Sequence, residues 1–394
     1  MPQSDADAKV EVAVSSEPTV NAPETDTPET VMSRAGDRIT DIAGISVGHH
    51  HRIDADATVA DASGEPDGPA GSGWATGTTV LTVTGPAPSA AVDVRGGGPG
   101  TRETDLLDPS NTVTVAHAIT LSGGSAYGLA AADGVMTGLE QAGIGLPMDT
   151  RGHVVPIVPA AVIFDLPVGS WEKRPDATFG EAALAAAASD FAIGSVGAGA
   201  GARAGGLKGG VGTAARHITE GPAAGITVGA LIVANPVGSV IDPSTGLPWS
   251  ADARDLERFG LSIPLDDDID AIAEIAAKST VLNTTIGVVV TDVALPPASL
   301  RRVAMSAHDG LAQAIRPVHS PLDGDTIFAV STGALEVPPS ELIPPGMNPD
   351  AVVLAALCAV ATEVTREAII SAVISARDVA GIAAYTTVVP SALR

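Results

Sequence analysis

The residues best able to do chemistry in this 394-residue chain stand together at Asn283, Thr284 and Thr285. They sit at the mouth of the apolar run in KSTVLNTTIGVVVTDVAL, residues 278–295. A buried strand has no need of an asparagine and two hydroxyls at its start. A threonine hydroxyl is a poor nucleophile until a base removes its proton. Cutting the chain between Asn283 and Thr284 would supply that base, because a new α-amino group has an unperturbed pKa of ~7.7–8.0, near the pH where general-base catalysis works best. Before the cut, the same hydroxyl can attack the Asn283 carbonyl to give an ester that water hydrolyses. One residue then provides nucleophile and base without a histidine. Asn-Thr is a common dipeptide, however, and spacing alone favours a threonine that simply opens a strand.

The other chemically suggestive stretches are weaker. DVRGGGPGTRETDLLDP follows a strand pattern and GSVGAGAGARAGGLKGGVG follows a helix pattern. Exposed backbone N–H groups in such runs can cradle anions. Lys208 is followed by glycine rather than Ser or Thr, and GAGAGA lacks a preceding strand, so neither run fits a nucleotide fingerprint. The alternative is that backbone approaches something closely there. His49, His50 and His51 are adjacent and would splay to different sides of an extended chain, without ligand-spaced partners nearby. His117, His153, His217, His308 and His319 form no recognisable metal or triad motif. Arg95, Arg102, Glu103 and Asp105 are expected to form an ion-pair network around the first glycine run. The single cysteine, Cys358, excludes an intrachain disulfide and reads as a small buried hydrophobe.

These residues need elements to hold them. Hydrophobic residues make up 45% of the chain but aromatics only 3%, so the core must be built from Ala, Val, Leu and Ile. Strands are expected at 78–85, 89–96, 160–166, 226–241, 284–293 and 325–332. Helices are expected at 125–142, 179–191, 268–278, 297–315 and 349–377. Near-continuous apolar strands imply sheets covered on both faces, hence an α/β layered architecture of mixed sheets between helix layers. Residues 1–34 are acidic and Pro/Ser/Thr-rich and are expected to be disordered, with 35–394 as one domain. The net charge of −25 argues against nucleic acid and anionic membranes as partners. The N-terminus lacks the basic and apolar regions of a signal peptide, and no apolar run reads as a membrane span. The expected location is the cytoplasm.

From about residue 38 to 385 the chain resembles the self-processing N-terminal-nucleophile aminopeptidases. That family includes the L-aminopeptidase/D-amidase/esterases, the β-peptidyl aminopeptidases and the nylon-oligomer hydrolases. The stretches that carry the likeness are ITDIAGISVGH, AAVDVRGGGPGTRETDLL, LSGGSAYGLAAADGVM, VPIVPAAVIFDL, VGAGAGARAGGLKGG, NPVG, NTTIGVVVTDVAL and HDGLAQAIRPVHSPLDGDTIFAVST. The resemblance implies an architecture shared with ornithine acetyltransferase, and cleavage into residues 35–283 and 284–394. It implies Thr284 as nucleophile, Tyr127 with its hydroxyl toward the reacting carbonyl, and Asn235 as an oxyanion donor. It also implies Asp323 and Asp325 as acids lining the nucleophile, with Lys208 nearby. No cofactor is implied. The expected substrates are small peptides or amides, and the expected assembly is a homo-oligomer, tetrameric or larger. Leu282 departs from the family's common glycine before the scissile asparagine. Rival readings are an acyltransferase of the ornithine acetyltransferase type and a non-enzymatic anion-binding protein.

Overall fold

In the computed structural model the described residues are 30–60, 68–276, 283–338 and 343–393. Most of the acidic tail, the last residues of the helix expected at 268–278, and Leu282 lie outside them. In chain order the principal strands are β1 (Ile45–Ile53), β2 (Ala75–Val83), β3 (Ser89–Val94), β4 (Gly100–Arg102) and β5 (Ala118–Ser122). They continue with β6 (Ala160–Val162), β7 (Gly210–His217), β8 (Thr227–Ala234), β9 (Ile286–Val293) and β10 (Thr326–Leu335). These strands make two five-stranded sheets, ordered β1-β2-β5-β6-β4 and β7-β8-β9-β10-β3. Each sheet is mixed, with one parallel pair: β5 beside β6, and β9 beside β10.

The sheets stack face to face, and their side-chain alternation explains the unbroken apolar runs. Along β9, Ile286, Val288 and Val290 point into the inter-sheet core with Leu81, Ile119, Leu121 and Phe328. Val289 and Val293 point the other way, into the core beneath the helices. Each such residue, fully buried, contributes on the order of 1.5–3 kcal/mol. The longer helices among the described residues are α1 (Ala131–Gln141), α2 (Ala177–Ala185), α3 (Asp266–Ala276), α4 (Pro297–Ala314) and α5 (Ala351–Ile374). Helices α1 and α2 cover the outer face of the first sheet through Ala132, Val135, Leu139 and Ala183. Helices α4 and α5 cover the second through Leu300, Val303, Ala307, Leu357 and Ala361. The result is helix, sheet, sheet, helix, the layered α/β architecture expected from the strand pattern.

Small side chains set the spacing of these layers. A Cβ on Gly212 of β7 would lie 2.1 Å from the carbonyl oxygen of Ala368 in α5, so only glycine lets that helix sit so close. The same composition hid β7 from the sequence reading, since GVGTAARH carries no β-branched run. The helix expected at 125–142 divides into a 3-10 turn, Ser125–Ala130, followed by α1. The strand expected at 160–166 ends at Val162.

Two expectations need correction. Arg95 pairs with Asp93 at 2.9 Å and Arg102 with Asp133 at 2.6 Å, so the four charged residues near the first glycine run do not pair with one another. The partners come instead from the neighbouring residue on the strand and from α1. Cys358 is half-buried at the edge of the core rather than enclosed by it. Among the described residues, no helix is long and apolar enough to cross a membrane.

Candidate active site

Parallel pairing of β9 with β10 puts the entrances of both strands at one end of the second sheet, Ile286 beside Thr326. The residues just before them, 283–285 and 323–325, are therefore neighbours. The Thr285 amide donates to Asp325 Oδ1 at 2.8 Å, and the Thr326 amide donates to the Thr285 carbonyl at 3.1 Å. On the other side β8 runs antiparallel to β9 and ends here, delivering Asn235. Its carbonyl accepts from the Thr284 amide at 2.7 Å. Three distant stretches of chain thus converge, and Asn235, Thr284, Asp323 and Asp325 are all buried.

Within this end the Thr284 hydroxyl donates to the carbonyl oxygen of Asn283 at 2.5 Å, at the peptide bond where cleavage was expected. The Asn283 side-chain amide is held by the Pro236 carbonyl at 2.8 Å. Room for the hydroxyl depends on Gly324, where a Cβ would lie 2.8 Å from Thr284 Oγ1. The Asn235 carboxamide is fixed at both ends. Its oxygen accepts from the Arg203 amide at 2.8 Å, and its nitrogen donates to the Phe164 carbonyl at 3.4 Å. A carboxamide nitrogen carries two N–H groups, so Phe164 occupies only one.

Among the described residues, the partners of the two acids are hydrogen-bond donors and not an arginine or lysine. Asp323 accepts from the amides of Val237 and Ser320, each at 3.1 Å. Burial, and then the charge of Asp325, push the Asp323 carboxyl above the usual carboxylate range. Asp325 accepts from the His319 amide at 3.2 Å and lies 2.8 Å from His319 Nδ1. The His319 ring meets that of His308 edge to face, centroids 4.9 Å apart. Burial, opposed by a hydrogen bond to the Asp93 carbonyl, lowers His308 to about 4. Sequence reasoning found no partner for either histidine, because their contact arises only where the approach to β10 folds back on α4. The glycine run at 96–100 leans on the same turn, with the Gly98 amide donating to the Asp323 carbonyl at 2.8 Å.

Two expected site residues stand to the side. Tyr127, on the 3-10 turn, is 56% exposed, and the Arg174 guanidinium lies 3.8 Å from its ring centre. Lys208 is fully buried, and its ammonium donates to the carbonyls of Gly199, Ala202 and Gly209 at 2.7–2.8 Å rather than to Thr284. Burial, opposed by the charge of Asp165, lowers Lys208 to about 7. The three adjacent histidines lie on β1 and do splay. His49 bridges Thr79 and the Ala192 carbonyl, His51 accepts from the Gly197 amide, and His50 meets the edge of Phe179. Gly324, Arg203 and His319 are members of this end that sequence reasoning missed. The glycine inside LDGDTIF was the available signal for the first.

The sequence model of peptidase family S58 matches residues 37–387. The chain belongs to peptidase family S58. A relative, an uncharacterized aminopeptidase of Mycobacterium tuberculosis, is 51% identical over 358 residues, covering 90% of this chain and 98% of its own. A 6-aminohexanoate-oligomer endohydrolase of Kocuria sp. is 34% identical over 308 residues, covering 75% of this chain and 80% of its own. The solved L-aminopeptidase D-Ala-esterase/amidase of Ochrobactrum anthropi superposes with a TM-score of 0.61 at 21% identity, over 90% of each chain, and is described as a variant of the Ntn hydrolase fold. The chain therefore has the Ntn-hydrolase type of fold and belongs to a family of peptidases.

Proposed function

We propose that the chain cuts itself between Asn283 and Thr284 and then uses Thr284 as an N-terminal nucleophile on small peptides or amides. The observation that carries this reading is the buried Thr284 hydroxyl, 2.5 Å from the Asn283 carbonyl oxygen with Gly324 leaving it space. In the first reaction Oγ1 adds to the Asn283 carbonyl carbon, the C–N bond breaks, and the hydroxyl proton passes to the departing nitrogen. Water then hydrolyses the ester, leaving a carboxylate on Asn283 and a free amine on Thr284.

That nitrogen already donates to the Asn235 carbonyl, so the new amine stays beside its own hydroxyl. In turnover the amine takes the hydroxyl proton as Oγ1 adds to the substrate carbonyl. The second N–H of Asn235 supports the oxyanion, with the Tyr127 hydroxyl as the other candidate donor. The leaving amine departs with the proton, and water releases the acyl group. Asp323 and Asp325, held by N–H groups, keep negative charge available for the ammonium form of Thr284. Lys208 shapes the glycine-rich loop rather than meeting substrate. The relatives' names, aminopeptidase and oligomer endohydrolase, favour compact amide substrates.

Intact-mass measurement of the purified protein tests the reading. The parent yields two fragments meeting at 283/284, while Thr284→Ala stays whole and loses hydrolysis of aminoacyl anilides by ~10³-fold or more. An active parent that stays in one piece, or turnover by Thr284→Ala, overturns it.

A further inference from the structure

We infer that Asp165 is a positioning residue that locks the Tyr127 turn and the Asn235 carboxamide into one buried joint. The inference rests on the oxyanion roles proposed above for those two residues. Beyond the end of β6 the chain continues through Phe164, whose carbonyl is the acceptor for Asn235 Nδ2. Asp165 follows at once, only 2% exposed. Its Oδ1 accepts from the Gly124 amide at 2.6 Å and its Oδ2 from the Thr76 hydroxyl at 2.7 Å. Gly124, at φ 82°, is the residue from which the chain enters the turn carrying Tyr127, so the carboxylate sets the direction of that turn. On its other side Asp165 leans on the glycine-rich loop, where a Cβ at Gly201 would lie 2.6 Å from Oδ2. Two residues on, the Arg203 amide orients the Asn235 carboxamide oxygen.

A buried carboxylate is a costly way to hold backbone, and a neutral side chain could accept from one amide. What the charge adds is strength in both hydrogen bonds and attraction to the Lys208 ammonium, which gathers three carbonyls of the same loop. Burial pushes Asp165 up to about 6 and Lys208 down to about 7, each partly countered by the charge of the other. The joint therefore couples the two donor-bearing segments to two buried charges that no reaction step uses.

The test is steady-state hydrolysis of an aminoacyl anilide by the full-length variants, with maturation followed by intact mass and folding by thermal melting. Asp165→Asn keeps the shape and removes the charge. It should melt as a cooperative fold yet lower kcat, or the rate of chain splitting, by ~30- to 100-fold, with KM moving by less than about threefold, because displacing a donor by an ångström is felt mainly in the transition state. Thr76→Val removes one of the two bonds and should lower kcat in the same direction by ~3- to 10-fold; it carries the test alone where Asp165→Asn does not fold. A folded Asp165→Asn protein with parental kcat and splitting rate, a loss confined to KM, or a Thr76→Val protein with parental kcat overturns the inference. Failure of the nucleophile reading shows up separately, as turnover retained by Thr284→Ala.

Discussion

Two buried clusters of charge in this molecule are built on opposite terms. Beside α5, a cleft of about 480 Å³ is lined by Arg216, Arg258, Arg366, Asp255 and Glu367. There Arg366 grips Asp255 through both nitrogens, Arg258 meets Asp37 and Glu367, and Arg216 lies 2.7 Å from Glu367. Every acid in that set has a fixed guanidinium. At the mouth of β9 and β10, Asp323 and Asp325 are held by backbone amides and a histidine, with no arginine or lysine among the described residues in an ion pair with them. A carboxylate saturated by a fixed cation is a fastener. One held by N–H groups keeps its charge available to a cation that arrives later, and the amine released by a cut before Thr284 would be such a cation.

The contrast can be broken from either side, and the fastener should give way most. Asp255→Ala strands the Arg366 guanidinium, which is largely buried, and should cost about 3–5 kcal/mol of folding stability. Denaturant titration reads that loss, while kcat per folded molecule should hold. On the other side Asn235→Ala should retain most of the stability but lower kcat by ~10²–10³-fold through loss of an oxyanion donor. If the first variant lost rate and the second lost only stability, the division between fastener and working site would be wrong.

How much of this was legible follows from the range of each interaction. The layered architecture was readable, since apolar runs mark strands, but the convergence of 283–285 with 323–325 was expected only through the family resemblance, because nothing in the runs says which strands pair. The fastener was not, because its members come from residues 37, 216, 255, 258, 366 and 367 and no local pattern links them. The supposed network of Arg95, Arg102, Glu103 and Asp105 failed for the converse reason: adjacency in sequence was taken for adjacency in space. Strand β7 was missed because close approach of α5 selects glycine and alanine there, the residues that carry least strand signal. Asp165 lay in a quoted stretch, VIFDL, yet its role appears only when Gly124, Thr76 and Gly201 fold around one carboxylate.

The smallest predicted effect is the sharpest probe of the working side. Asp323 is pushed above the usual carboxylate range by burial first and by Asp325 second. The folded chain then holds that proton more tightly than the unfolded chain, so the ionised form costs stability at high pH and the cost fades as pH falls toward the unfolded value. Asp323→Asn should therefore raise the melting temperature relative to the parent at about pH 8 and give no gain at about pH 4. Were Thr284 to carry the free amine proposed above, the same change would remove a negative charge from its end of the sheet, and less negative charge favours the neutral amine. The acid limb of kcat/KM should then move to lower pH, by less than about one unit with Asp325 still present. A variant that melts like its parent at both pH values, or whose acid limb moves upward, would mean that Asp323 belongs with the fasteners after all.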